Sequence, residues 1–153
     1  MAKEVFKATV NWQSGLACEA DARGFKVTMD EPAELGGTNT SMNPVELLLS
    51  ALGGCITICA AAFAPACKVN LIDFSVDLEG DLDPDGFLGK NPNVRTGFSD
   101  IRYKMHIKTD SPKENVERLV KAIKKVCPVS DTLKGVPVSG DYELEAVEQS
   151  KVS

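Results

Sequence analysis

Histidine is almost missing from this sequence: His106 stands alone among 153 residues. With one imidazole and no close cysteine spacing, a structural zinc site is not expected, and no metal or organic cofactor is read from the chain. Positive charge is also short. Lys and Arg number 17 against 22 Asp and Glu, a formal net charge of -5. The basic residues are dispersed except for Lys121, Lys124 and Lys125, which read as the wet face of a helix. This weighs against nucleic acid and anionic membrane as partners. The start, Met1-Ala2-Lys3-Glu4-Val5-Phe6, has no apolar run and no small-residue cleavage site. No secretory signal is read there, so a cytoplasmic protein is expected. The cysteines number five, Cys18, Cys55, Cys59, Cys67 and Cys127. An odd count in a chain without a secretory signal argues against a disulfide framework. It leaves some thiols as core fillers and one or two for chemistry. No internal repeat and no low-complexity segment is present, and Gly36-Gly37 lacks the pattern of a phosphate-binding loop.

What is present is an ordinary globular composition, 43% apolar and 25% charged. The length suits a single domain, residues 1–153, or one half of an intertwined dimer. Alternating apolar residues predict strands over 5–12, 16–22 and 25–29, with turns at Ser14-Gly15 and Arg23-Gly24. A loop follows over 31–43. Asn43, Pro44 and Glu46 then form a helix start with a capping box, and an apolar helix over 44–64 carries Cys55. Residues 69–79 read as a strand, 80–97 as a long loop rich in Asp, Gly, Asn and Pro, and 98–109 as a strand with Ile101, Tyr103, Met105 and Ile107 on one face. Ser111, Pro112 and Glu114 suggest a second capping box. Beyond them Val116, Leu119, Val120, Ile123 and Val126 form the stripe of an amphipathic helix. A brief turn over 129–133, capped by Asp131, and a last strand over 136–147 complete the order βββ-α-ββ-α-β, an α+β fold.

The helix over 44–64 is about 20 residues long, or roughly 30 Å. That is nearly enough to cross a bilayer. Glu46 in its first turn, its Ser, Thr and Gly content and the amphipathic character of the rest argue instead for burial on all sides. A domain this small struggles to surround such a helix alone. Two copies meeting at Gly53-Gly54 would do so, because glycine allows close backbone approach. A homodimer is therefore expected.

Cys55 and Cys59 are four residues apart and share a helix face. Either can be a small apolar filler. A reactive thiolate needs a nearby cation or amide donors, and this helix supplies none. Cys127, at a helix end before Pro128, could pair with a distant thiol as attacking and resolving cysteines. Glu46 is first a capping residue and second a candidate catalytic carboxylate. His106 is expected to be an ordinary sheet residue.

Two stretches resemble the OsmC/Ohr family, the osmotically induced and organic-hydroperoxide-resistance proteins. They are Gly36-Gly37 followed by NPVELLLSALGGC (43–55), and CPVSDTL (127–133). The form ELLLSALGGC looks closest to the YhfA-like branch. The resemblance implies an OsmC-like intertwined homodimer, with antiparallel sheets packed around buried central cysteine-bearing helices. It implies a thiol peroxidase in which Cys55 attacks an organic hydroperoxide and becomes a sulfenic acid. Cys127 then resolves it as a disulfide, and an external dithiol reductant resets the site without cofactor or metal. An apolar lining would favour alkyl hydroperoxides, with Leu48, Leu49, Leu52, Phe63 and Phe98 as candidates. Two positions depart from the family pattern. Val45 stands where the peroxidases carry a Glu ten residues before the first cysteine. The turn WQSGLA lacks the family Arg, for which Arg23, Arg95 or Arg102 would have to substitute. These departures motivate a second reading: a non-enzymatic redox sensor, or a binder of a small hydrophobic ligand, on the same fold.

Overall fold

Three short strands open the chain, β1 (Thr9–Ser14), β2 (Ala17–Ala22) and β3 (Phe25–Met29). The computed structural model describes residues 2–134. The three strands form an antiparallel meander in the order β1-β2-β3. Arg23 and Gly24 both take positive φ, 58° and 87°, the twist that a two-residue hairpin turn requires. Asp21 accepts the Gly24 N–H at 3.0 Å and closes that turn. The first strand begins later than its alternation predicts. Its pairing with β2 runs only from Thr9 to Ser14, so Val5 and Phe6 find no partner and lie exposed.

The loop after β3 is organised by one buried carboxylate. Asp30 accepts the backbone N–H of Glu31, Thr38 and Thr40 and the hydroxyls of both threonines. The Thr38 hydroxyl foremost, then these amides, hold its carboxyl well below the usual carboxylate range. Gly37 is required in this loop, because a Cβ there would overlap the Glu31 carbonyl. The loop delivers the chain to helix α1 (Pro44–Phe63). The capping box is formed as expected: Asn43 Oδ1 accepts the Glu46 N–H at 2.9 Å, and Glu46 Oε2 accepts the Asn43 N–H at 2.8 Å.

Strand β4 (Leu71–Asp81) pairs antiparallel with β5 (Asp100–Thr109). The register shifts between Leu71 and Asp73, so Ile72 is the extra residue of a bulge. This moves Ile72 off the apolar face where alternation puts it. Leu71, Phe74, Val76 and Leu78 form that face instead, beside Ile101, Tyr103 and Met105. The connection between the strands contains a short helix, α2 (Pro84–Phe87), started by Asp83 and Pro84. His106 lies on the outer face and pairs with Asp77 at 2.7 Å.

Helix α3 (Lys113–Val126) buries Leu119 and Ile123 and leaves Lys121, Lys124 and Lys125 wet. The second capping box does not form. Pro112 occupies the cap position with no side-chain bond. The Ser111 hydroxyl accepts the N–H of Asn70 at 2.7 Å instead, tying the start of β4 to the start of α3. The turn expected after Pro128 is a short helix, α4 (Pro128–Thr132), and its cap is Cys127; Asp131 lies inside it. The strand expected over 136–147 lies outside the described residues.

The core lies where α1 packs on β4, α3 and α4. It covers one face of α1 only, through Leu52, Gly53, Ile56, Cys59 and Ala60. Among the described residues, burial on all sides is not achieved: Ile58 on the opposite side is 70% exposed, and Val45 and Leu48, at the N-terminal end of the buried stripe, are also exposed. Gly53 faces β4, where a Cβ would come 2.7 Å from Leu78 Cδ1, while nothing lies within 4 Å of the equivalent position at Gly54. Among the described residues the meander stands apart from this core, and no helix and neither β4 nor β5 packs substantially against it. Trp12 on β1 is 76% exposed.

Candidate active site

Cys55 sits three turns into α1, placed by the capped helix start. Cys127 is placed by a break. Pro128 disfavours helical backbone in the residue before it, and Cys127 accordingly takes an extended conformation at the end of α3 (φ -69°, ψ 107°). These two local effects bring together sulfurs 72 residues apart in sequence. Their separation is 3.0 Å, a thiol–thiol contact. That exceeds a covalent S–S bond of about 2.05 Å, and both cysteines are free. Cys127 is buried, 2% exposed, and Cys55 is half-buried.

The two thiols have different surroundings. Cys127 caps α4, and its Sγ accepts the Ser130 N–H at 3.5 Å. That amide favours a thiolate, but burial and the contact with Cys55 outweigh it and push the Cys127 thiol up. Cys59 follows Cys55 by one turn on the buried side of α1. Burial raises its thiol first, and charge on Cys127 raises it further. Cys67 lies in the same core, and Cys18 on β2 is far from it in the fold.

A cavity of about 330 Å³ is lined by residues of α1, β5 and α4 but by neither Cys55 nor Cys127. Leu52, Phe98, Ile101 and Tyr103 give it apolar walls, Ser130 connects it to Cys127, and its charged lining is Arg95, Lys134 and Asp100. Of the three arginines considered from sequence, Arg95 is the one that reaches this cavity. Arg102 lies on the outer face of β5, held by Glu79 and Asp81 at 2.8 Å each and by Asp100 at 3.3 Å. Arg23 stacks on Phe25 at 5.3 Å in the β2–β3 turn. Lys134 and the Ser130 amide escaped the sequence reading, as nothing in linear spacing marks either.

A second cavity, about 380 Å³ and mostly apolar, lies at the start of α1. Val45 and Leu48 line it with Leu35, Phe87 and Phe98. Of the expected apolar lining, Leu52, Leu48 and Phe98 therefore face these two cavities, and Leu49 and Phe63 face neither. The Glu46 carboxylate is engaged in the capping box, nine residues before Cys55, or about 13 Å along the helix axis. Among the described residues, no three His, Cys, Asp or Glu side chains converge as a metal site would need.

A comparison with curated proteins returned no match. Solved structures do match. An OsmC-like protein from Mycoplasma pneumoniae superposes with a TM-score of 0.75 at 22% identity, covering 88% of this chain and 91% of that one. An organic hydroperoxide resistance protein OsmC from Legionella pneumophila gives 0.61 at 22% identity, covering 88% and 93%. A Vibrio cholerae protein described as an organic hydroperoxide resistance protein, with captopril in one of its active sites, gives 0.61 at 20% identity, covering 87% and 88%. At these identities the likeness shows the fold. The family described as OsmC-like protein matches residues 37–140, from the second glycine of the Gly36-Gly37 pair past the Cys127 motif, and the chain belongs to that family.

Proposed function

We propose that the protein is a cysteine-based thiol peroxidase acting on organic hydroperoxides. The observation that carries this reading is the 3.0 Å approach of two free sulfurs. Family membership supports a redox role of this type. The Cys55 thiolate attacks one peroxide oxygen; the O–O bond breaks, the alkoxide takes a proton and leaves as alcohol, and Cys55 becomes a sulfenic acid. The Cys127 thiolate then attacks Cys55 Sγ, hydroxide leaves as water, and a disulfide closes. An external dithiol reduces it by two exchange steps. Arg95, on the wall of the neighbouring cavity, is assigned the role of orienting the incoming hydroperoxide. Glu46 acts as a positioning residue, fixing the start of the helix that aims Cys55.

We read the acting species as a homodimer with α1 at its centre. The apolar face of α1 left open in one chain supports this, as does a meander with no core of its own. Helix α1 is long and apolar enough to cross a membrane by length and composition, but its packing on β4 and α3 favours a core and interface helix. A cytoplasmic site of action suits a set of free thiols. The wording of residues 46–55 is the ground for placing the chain nearest the YhfA-like branch.

The test is consumption of an alkyl hydroperoxide with a dithiol reductant. Wild type should turn over many times, C55A should fall to the uncatalysed rate, and C127A should stall after one equivalent. R95Q should slow sulfenic acid formation while leaving the disulfide step intact. A wild-type rate equal to that of C55A removes the enzyme reading. One observation favours an alternative, a non-enzymatic sensor or small-hydrophobic-ligand binder: the apolar cavity at Val45. Native mass spectrometry showing a retained ligand, with no hydroperoxide turnover, would select it.

A further inference from the structure

The site holds three thiols, and the reaction above uses two. Cys59 follows Cys55 by four residues on α1, so their side chains project from the same face about 5–6 Å apart at Cβ. It points into the same core cluster as Cys127. Cys55 is half-buried, whereas Cys59 and Cys127 are 8% and 2% exposed. We propose that Cys59 is a third redox thiol of the site, to which the Cys127 disulfide transfers from Cys55.

The step rests on the Cys55–Cys127 disulfide of the proposed function. The Cys59 thiolate attacks Cys127 Sγ and forms the Cys59–Cys127 bond. The Cys55–Cys127 bond breaks, and its electron pair leaves on Cys55 Sγ, which takes up the proton that Cys59 gave away. Cys59 Sγ is oxidised as Cys55 Sγ is reduced, so the step needs no outside oxidant or reductant. The two isomers differ in accessibility. In the first, an incoming dithiol reaches the half-buried Cys55 sulfur. In the second, both bonded sulfurs lie in the core, and Cys55 is a free thiol again. The transferred form is therefore oxidised yet sheltered from the reductant, and it returns to the reducible form only by reversing the exchange.

Diamide oxidises dithiols without needing peroxidase chemistry, so it tests this step independently of turnover. Wild-type protein is oxidised with diamide, quenched in acid and alkylated, and the free thiols are assigned by tandem mass spectrometry. The expected result is alkyl label on both Cys55 and Cys59, in amounts within roughly tenfold of each other. Label on Cys59 with none on Cys55, or no disulfide at Cys127, overturns the proposal. C55A treated in the same way should close a Cys59–Cys127 disulfide; free Cys59 and Cys127 in that variant overturn it as well. Re-reduction of oxidised wild type by dithiothreitol should show a fast and a slow phase, the slow one absent from C59A. Loss of hydroperoxide turnover with both isomers present would count against the peroxidase reading alone.

Discussion

At the scale of single residues, the surroundings of Cys127 give the disulfide step of the proposed reaction a pH dependence of its own. Burial and its neighbour hold the Cys127 thiol above the ordinary cysteine range. A raised thiol pKa means that the thiolate is a minor species at neutral pH and grows tenfold for each unit of rising pH. Disulfide closure, followed from preformed sulfenic acid, should therefore accelerate with pH and keep accelerating past about 8.5, the value of a free cysteine. Closure that levels off below that value would show a Cys127 thiol lower than its burial implies. The proximity of these two residues was legible from the family motifs around them, not from their own spacing. Alternation and capping rules say where a helix begins, but they do not bring position 55 to position 127. Arg95 was legible only as one of three arginines, because a cavity formed by β5, α1 and α4 has no signature along the chain.

At the scale of elements, α1 shows what sequence rules capture well. Asn43, Pro44 and Glu46 satisfy the local hydrogen bonds by themselves, so the start is fixed before any tertiary contact. The same motif at Ser111 fails because a competing donor, the Asn70 N–H, arrives from 41 residues away in sequence. Ile72 misleads for a similar reason: a bulge shifts side-chain alternation by one, and the period of two cannot reveal it. The two central glycines of α1 were read together from sequence, yet they face opposite surroundings. Gly53→Ala drives a methyl against Leu78 and should destabilise by about 1–3 kcal/mol. Gly54→Ala meets nothing within its own chain and relieves a mid-helix glycine, so it should stabilise an isolated chain by about 1 kcal/mol. If α1 packs on its copy at Gly54, the same change should instead weaken association. Urea denaturation at two protein concentrations separates these outcomes.

At the scale of the whole molecule, the distribution of apolar surface is uneven. The half built from α1, β4, β5, α3 and α4 has a core, and the half built from β1, β2 and β3 does not. A homodimer would cover the open face of α1 and give the meander something to pack on. Trp12 is the sole tryptophan, so it reports on this directly. In the dimer its emission should be blue-shifted from that of free tryptophan and should move red on dilution. Sedimentation should show a dimer at micromolar concentration. A red-emitting monomer at that concentration would remove the dimer.

The meander's separateness also bears on how the molecule is made. Its strands are synthesised before the elements that form the core, and among the described residues both outer edges of the three-stranded sheet present unpaired backbone groups. Among the described residues, no later strand pairs with those edges. If a second chain is what covers those edges, the nascent protein carries an unsheltered sheet until that chain arrives. Yield of native protein is then set by encounter between chains rather than by the speed of any intramolecular event, and slow, cool expression becomes a race between productive pairing and edge-to-edge aggregation.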